Sequence, residues 1–258
     1  CGADRRSRTL TGTLIIAPRE RANVLRDALL SPDRFFRDRT RATLPRAALV
    51  VTLVALVSTL SIAGMGWYLG QQVDVTTQVD NPAYPGDAFC GDDAFATTMT
   101  GCDAPKTKTV DVGAKLWDEF VQRLPVVFLG SYATWLLFGV LLHASSWFAG
   151  GEGSFSDTLV VTAWGMVPSI LQTAVGAVLF YLSVRNADFA TTPEALVQQF
   201  RTLTRTARGG NAAMALPVTA WSWYVWSYGL KHRRNLSTGQ AMKAAGAVAA
   251  LVVVLDLL

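Results

Sequence analysis

Hydrophobic residues in this chain fall into long unbroken blocks separated by polar segments, unlike the one-sided or alternating patterns of soluble helices and strands. Five blocks stand out, at about residues 47–69, 125–148, 158–183, 212–230 and 242–258. Helices of such length cross a hydrocarbon core ~30 Å thick at 1.5 Å per residue. The second and third blocks, PVVFLGSYATWLLFGVLLHASSWFAG and LVVTAWGMVPSILQTAVGAVLFYLSV, are joined by the glycine-rich GEGSFSDT. They predict a helical hairpin through a bilayer, closed by a tight turn. The expected fold is all-α: a polytopic transmembrane helical bundle of five spans with amphipathic interfacial helices. Residues 1–46 form an arginine-rich N-terminal segment, 47–258 the membrane domain, and 71–124 a loop on the far side.

The polar segments carry weaker periodicities. Val112, Leu116, Phe120 and Leu124 recur at four-residue steps, with Lys115, Asp118, Glu119 and Arg123 on the other face. That predicts an interfacial helix leading into the second span. Within the polar segment 184–210, Leu196, Phe200 and Leu203 oppose Arg201, Arg205 and Arg208, after Thr192 and Pro193 at a helix start. This predicts a second interfacial helix. Ser31-Pro32-Asp33 opens a short helix in which Phe35 and Phe36, beside Arg34, Arg37 and Arg39, suit a bilayer surface. Pro168 and Pro217 predict kinks. Gly165, Ser169, Thr173 and Gly176 allow close helix approach, within the bundle or in an oligomer.

Composition supports the membrane reading: 51% of residues are hydrophobic and mean hydropathy is +0.29. The net charge of +4 does not point to nucleic acid, because the arginines gather at the ends of apolar blocks. The arginines of residues 1–46 place the N-terminus in the cytoplasm. Trp221, Trp223, Tyr224, Trp226 and Tyr228 read as an aromatic belt, and Lys231, Arg233 and Arg234 behind them as a cytoplasmic basic anchor. Five spans then leave the C-terminus outside. Two segments run against the charge rule: the turn at 150–157 carries Glu152 and Asp157 and no base, and the outer segment 184–210 is arginine-rich. Polarity built from Asp and Arg suggests a GC-rich prokaryotic genome, hence a cell membrane.

Candidate chemistry is sparse. Cys90 and Cys102 share the outer loop and can close a disulfide in an oxidising compartment, free thiols being the alternative. No histidine lies near them to complete a zinc site. Cys1, followed by the basic GADRRSR, reads as the start of a fragment rather than as a lipoprotein cysteine. The spans carry no mid-membrane Asp, Glu, Lys or Arg of the kind that marks pumps and ion-coupled carriers. Ser131 with His143 would be the elements of an intramembrane hydrolase, but serine at helix interfaces is ordinary packing. The GGEGS turn lacks the lysine of a phosphate-binding loop and needs positive φ instead. The expectation is therefore no catalytic residue, no metal and no cofactor. A non-enzymatic protein that binds partners or organises the bilayer comes first, ahead of a small-solute permease gated at Pro168 and Pro217.

The run WFAGGEGSFSDTL followed by AWGMVPSIL resembles the core of the Yip family of Ypt-interacting membrane proteins, and SPDRFFRD before the first span resembles prokaryotic members. The likeness covers about residues 30–255. It implies a five-span membrane domain whose motif positions are Gly150, Gly151, Gly153, Ser154, Phe155 and Pro168, with Trp164 as the expected aromatic. Eukaryotic relatives are tied to Rab-type GTPases and to vesicle traffic. This chain differs in its short arginine-rich N-terminus and its cysteine-bearing outer loop.

Overall fold

The computed structural model describes residues 18–90, 100–190 and 192–257. Cys1, Arg5, Arg6, Arg8, Asp92 and Asp93 lie outside them, as do the side chains of Arg19, Glu20, Arg21, Arg208 and Asp256. The chain runs α1 (Pro18–Leu30), α2 (Pro32–Arg37), α3 (Leu44–Gln72), β1 (Thr76–Asp80), β2 (Thr107–Asp111), α4 (Val112–Phe148), α5 (Phe155–Gly165), α6 (Pro168–Arg185), α7 (Pro193–Arg233) and α8 (Thr238–Leu257). Among the described residues, 4 helical stretches are long and apolar enough to cross a membrane: 44–72, 112–148, the broken pair 155–185, and 238–255. The fifth expected block is helical inside α7, where Trp, Tyr and Ser lower the hydropathy.

Outward-facing side chains of these helices are those that water would bury. Leu49 and Leu60 on α3 are 69% and 68% exposed, and Phe148 at the end of α4 is 81% exposed. Such a surface is stable when hydrocarbon is the solvent. Inside, α5 is enclosed: every residue from Thr158 to Gly165 is buried. Only Pro168 and Val184 are buried along α6. The third span is thus a core peg followed by a largely outward-facing half, and the boundary is the proline. Pro168 lacks the N–H that would continue the ladder, so the helix stops at Gly165 and restarts with proline in its first turn.

Three expectations are corrected. The two interfacial helices do not exist as separate elements. Residues 112–124 are the first turns of a continuous 37-residue α4, and 193–210 those of a 41-residue α7. Pro125 and Pro217 sit within these helices, both exposed, and the helix continues through each. The apolar faces are used locally: Leu116, Phe120, Leu196 and Phe200 pack in a small core with Leu69, Val73, Val75 and Val184. Second, Phe35 and Phe36 do not lie on a bilayer surface. Both are 0% exposed, and the Phe35 ring packs edge-on to Trp164 at 4.8 Å. Burial against protein aromatics removes the same area from water as lipid would, with defined ring geometry added.

Third, the polar loop at 71–124 holds a regular element. β1 and β2 pair antiparallel in a two-stranded sheet, Thr76 opposite Asp111 and Asp80 opposite Thr107. Nearly every position in both strands is exposed, so no buried face existed to impose an alternation on the sequence. Asn81 closes the ribbon: its backbone N–H donates to Lys106 O at 2.9 Å and its side-chain amide to Pro105 O at 2.8 Å. Beyond it Cys90 and Cys102 form the expected disulfide, with Cα atoms 5.4 Å apart.

The bundle has two distinct ends. One gathers α1, α2, the start of α3, the turn after α4 and the junction of α7 with α8; the other holds the β ribbon and the second small core.

Candidate functional site

The turn between α4 and α5 is the chemically richest part of the first end. Ala149 ends α4, and Gly150 and Gly153 take φ of +84° and +111°, the left-handed region that side-chain-bearing residues rarely adopt. Gly151 and Gly153 are also pressed from outside. A Cβ on Gly151 would lie 2.7 Å from Ser146 O, and one on Gly153 2.9 Å from Arg233 O. The glycines therefore serve both the turn and the close approach of α7. Ser154 caps α5, accepting from the Asp157 N–H at 3.2 Å and donating to Asp157 Oδ2 at 2.7 Å.

Arg234 is the bolt through this turn. It is 1% exposed, the largest fully buried side chain among the described residues. Its Nε donates to Ser146 Oγ at 3.1 Å, its Nη2 to Gly151 O at 3.1 Å and its Nη1 to Gly153 O. Its own carbonyl accepts from the Glu152 N–H at 2.9 Å. A planar guanidinium can reach several carbonyls in one plane, which an ammonium cannot. Arg233, 5% exposed, faces the other way: Nη1 pairs with Asp157 Oδ1 at 3.2 Å, and Nη2 donates to the carbonyls of Arg39 and Ala42.

The expected basic anchor is therefore divided. Arg233 and Arg234 are turned into the protein, where carbonyls, Ser146 and Asp157 take their donors except Arg233 Nε, which has no partner. Lys231 stays half-buried, with Nζ 2.7 Å from Asp33 Oδ1 of α2, and His232 Nε2 lies 2.9 Å from the same oxygen. Hydrogen bonds from Lys231, then from His232, hold the Asp33 carboxyl down to about 2. This arrangement also explains the acidic turn that carries no base: Asp157 takes its cation from α7, 76 residues along the chain.

The aromatic belt is likewise redirected. Trp226 Nε1 donates to Thr162 O at 3.4 Å, Trp223 Nε1 to Met242 O at 3.0 Å and Trp221 Nε1 to Leu29 O at 3.0 Å. From α4, Trp135 Nε1 donates to Leu159 O at 2.8 Å. These indoles tie helices to one another. Of the motif residues, Gly150, Gly151, Gly153, Ser154 and Phe155 form the turn and the start of α5. Trp164 and Pro168 lie at its other end, with Trp164 against α2. Phe155 meets the His143 ring edge-on at 5.3 Å.

No reactive constellation assembles from the alternatives. His143 Nδ1 lies 3.1 Å from Thr158 Oγ1, and Ser131 Oγ donates to Val127 O at 3.2 Å, so serine and histidine each have other partners. Among the described residues no His, Cys, Asp and Glu cluster could hold a metal ion. The residues that sequence reasoning missed are Asp33, Ser146 and Asp157; the acid-only turn was the signal that a cation had to arrive from elsewhere.

Compared with known proteins, the chain matches the family model described as Yip1 domain over residues 26–258. No curated protein matches it, and no solved structure does.

Proposed function

This chain belongs to the Yip1 domain family, and from that premise we propose a non-enzymatic membrane protein that acts by binding partners or organising the bilayer around a rigid bundle. The supporting observation is the use to which polar chemistry is put at the turn end. Arg233, Arg234, Asp157, Ser154 and Asp33 are consumed in locking α2, α5 and α7 together. The outside presents an apolar wall and, along residues 24–46, exposed arginines. Co-purification in mild detergent followed by mass spectrometry tests the reading: a reproducible stoichiometric protein or lipid partner supports it. Covalent labelling of a nucleophile by an activity-based probe would refute it.

In this proposal all five blocks cross the membrane, the C-terminal half of α7 being the fourth crossing. The N-terminal segment, the turn at 150–154 and Lys231–Arg234 share the cytoplasmic side, and the disulfide loop lies outside. After reduction, a membrane-impermeant maleimide should label Cys90 and Cys102 only from the outer face. A second reading, a small-solute permease, draws on the broken α5–α6 helix, since interrupted helices line many transport sites. Against it, the break is filled by Trp226. Liposome flux abolished by Pro168→Leu would favour transport.

A further inference from the structure

The exposed arginines carry an inference of their own, independent of whether the protein is an enzyme, a carrier or a scaffold. Residues 24–46 form a collar at the turn end. Phe35 and Phe36 point into the bundle, and loop 38–41 is tied to α1 through Arg41, whose Nη1 lies 3.3 Å from Asp27 Oδ2 and whose Nε lies 3.1 Å from Asp38 Oδ2. The collar's acids are spent. Asp33 serves Lys231, His232 and Arg37, while Asp27 and Asp38 serve Arg41. Three collar cations are left over: the exposed side chains of Arg26, Arg34 and Arg39 form no ion pair or hydrogen bond among the described residues.

The same segment exposes leucines. Leu25 and Leu30 on α1 and Leu44 at the start of α3 are exposed, with Leu49 opening the outward apolar face of α3 just beyond. We propose that Arg26, Arg34 and Arg39 form a binding surface for the phosphates of anionic phospholipids in the leaflet at the turn end. Unpaired guanidinium groups match phosphate in charge and fork geometry. The exposed leucines set the same segment at the boundary between headgroup and acyl chain. Charge together with exposed leucines on one segment is the combination that a headgroup boundary matches. Because the buried phenylalanines fix the collar to the bundle, the guanidinium groups are held at one depth instead of sampling the interface.

The test uses the full chain, purified and delipidated in a neutral detergent, then offered phosphatidylglycerol or phosphatidylcholine, with bound lipid counted by native mass spectrometry. The wild-type chain should retain phosphatidylglycerol over phosphatidylcholine, and added salt should weaken that preference. Arg26→Gln, Arg34→Gln and Arg39→Gln combined should reduce it by roughly tenfold or more, each single change by on the order of threefold to fivefold. Arg201→Gln with Arg205→Gln, exposed arginines at the opposite end of the bundle, should leave it intact. Inorganic phosphate at millimolar levels should not displace the lipid. Should the triple variant fail to fold, the single changes carry the same comparison. A preference untouched by the collar changes, or lost equally on changing Arg201 and Arg205, would overturn the proposal. So would equal retention of the two lipids by the wild-type chain, which would leave an acidic protein as the occupant to seek.

Discussion

Arg234 shows how far a residue's role depends on what lies across from it. A guanidinium beside an aromatic cluster at a helix end suits a headgroup anchor, yet here it fills the concave side of a glycine turn. Arg234→Gln should leave the buried Gly151 O and the partly buried Gly153 O without these donors. That change should cost about 2 to 4 kcal/mol and lower the unfolding temperature in detergent. Arg34→Gln, on the exposed rim, should leave it within measurement error. Asp33 gives a pH dependence whose sign follows from its shift. Its folded value lies at about 2, below the ordinary 3.8, so its contribution is complete above pH 3.8 and is lost as pH falls through about 2. Tryptophan fluorescence, to which Trp164 against Phe35 contributes, should report loosening of α2 in that window, and Asp33→Asn should show the loosened signal already at pH 5 to 6.

At the scale of elements, the broken third span depends on a close fit. A Cβ on Gly165 would lie 2.0 Å from Trp226 Nε1, whereas one on Gly176 would meet nothing within 4 Å. Gly165→Ala should therefore destabilise the bundle by roughly 1 to 3 kcal/mol, by displacing the Trp226 ring from the end of α5. Gly176→Ala should be neutral or slightly stabilising, as alanine favours helix over glycine. Comparing the two unfolding temperatures checks whether the kink is a packed joint. The hydrophobic blocks made the spans legible, because span length is set by bilayer thickness and is written locally. So were the glycine turn and the break at Pro168, which follow from single-residue backbone chemistry. The inward turn of Phe35, Phe36 and Arg234 was not. Their partners lie far along the chain, 88 residues away for Arg234 and Ser146, and an amphipathic hexapeptide reads the same whether its aromatic face meets lipid or protein. The continuity of α4 and α7 was hidden for a related reason: a change from amphipathic to apolar composition marks a change of surroundings, not a helix end.

Across the whole molecule, polar and apolar roles are divided by end and by depth. The periphery of the spans is apolar, the interior of the turn end is ionic and hydrogen-bonded, and the opposite end is a disulfide-bearing ribbon over a small core. This predicts that the intact chain requires detergent or lipid to remain monodisperse, which size-exclusion chromatography with and without detergent would check. It also makes the turn end a single locked unit in which α2, the glycine turn and the end of α7 hold one another. Hydrogen exchange in lipid nanodiscs measures that lock most directly, because the Gly151 N–H donates to Ser146 O at 2.8 Å and the Glu152 N–H to Arg234 O. Slow exchange at Gly151 and Glu152 in the wild-type chain, accelerated in Arg234→Gln, is the predicted result. Rapid exchange at both amides in the wild-type chain, or slow exchange unaffected by the substitution, would contradict it.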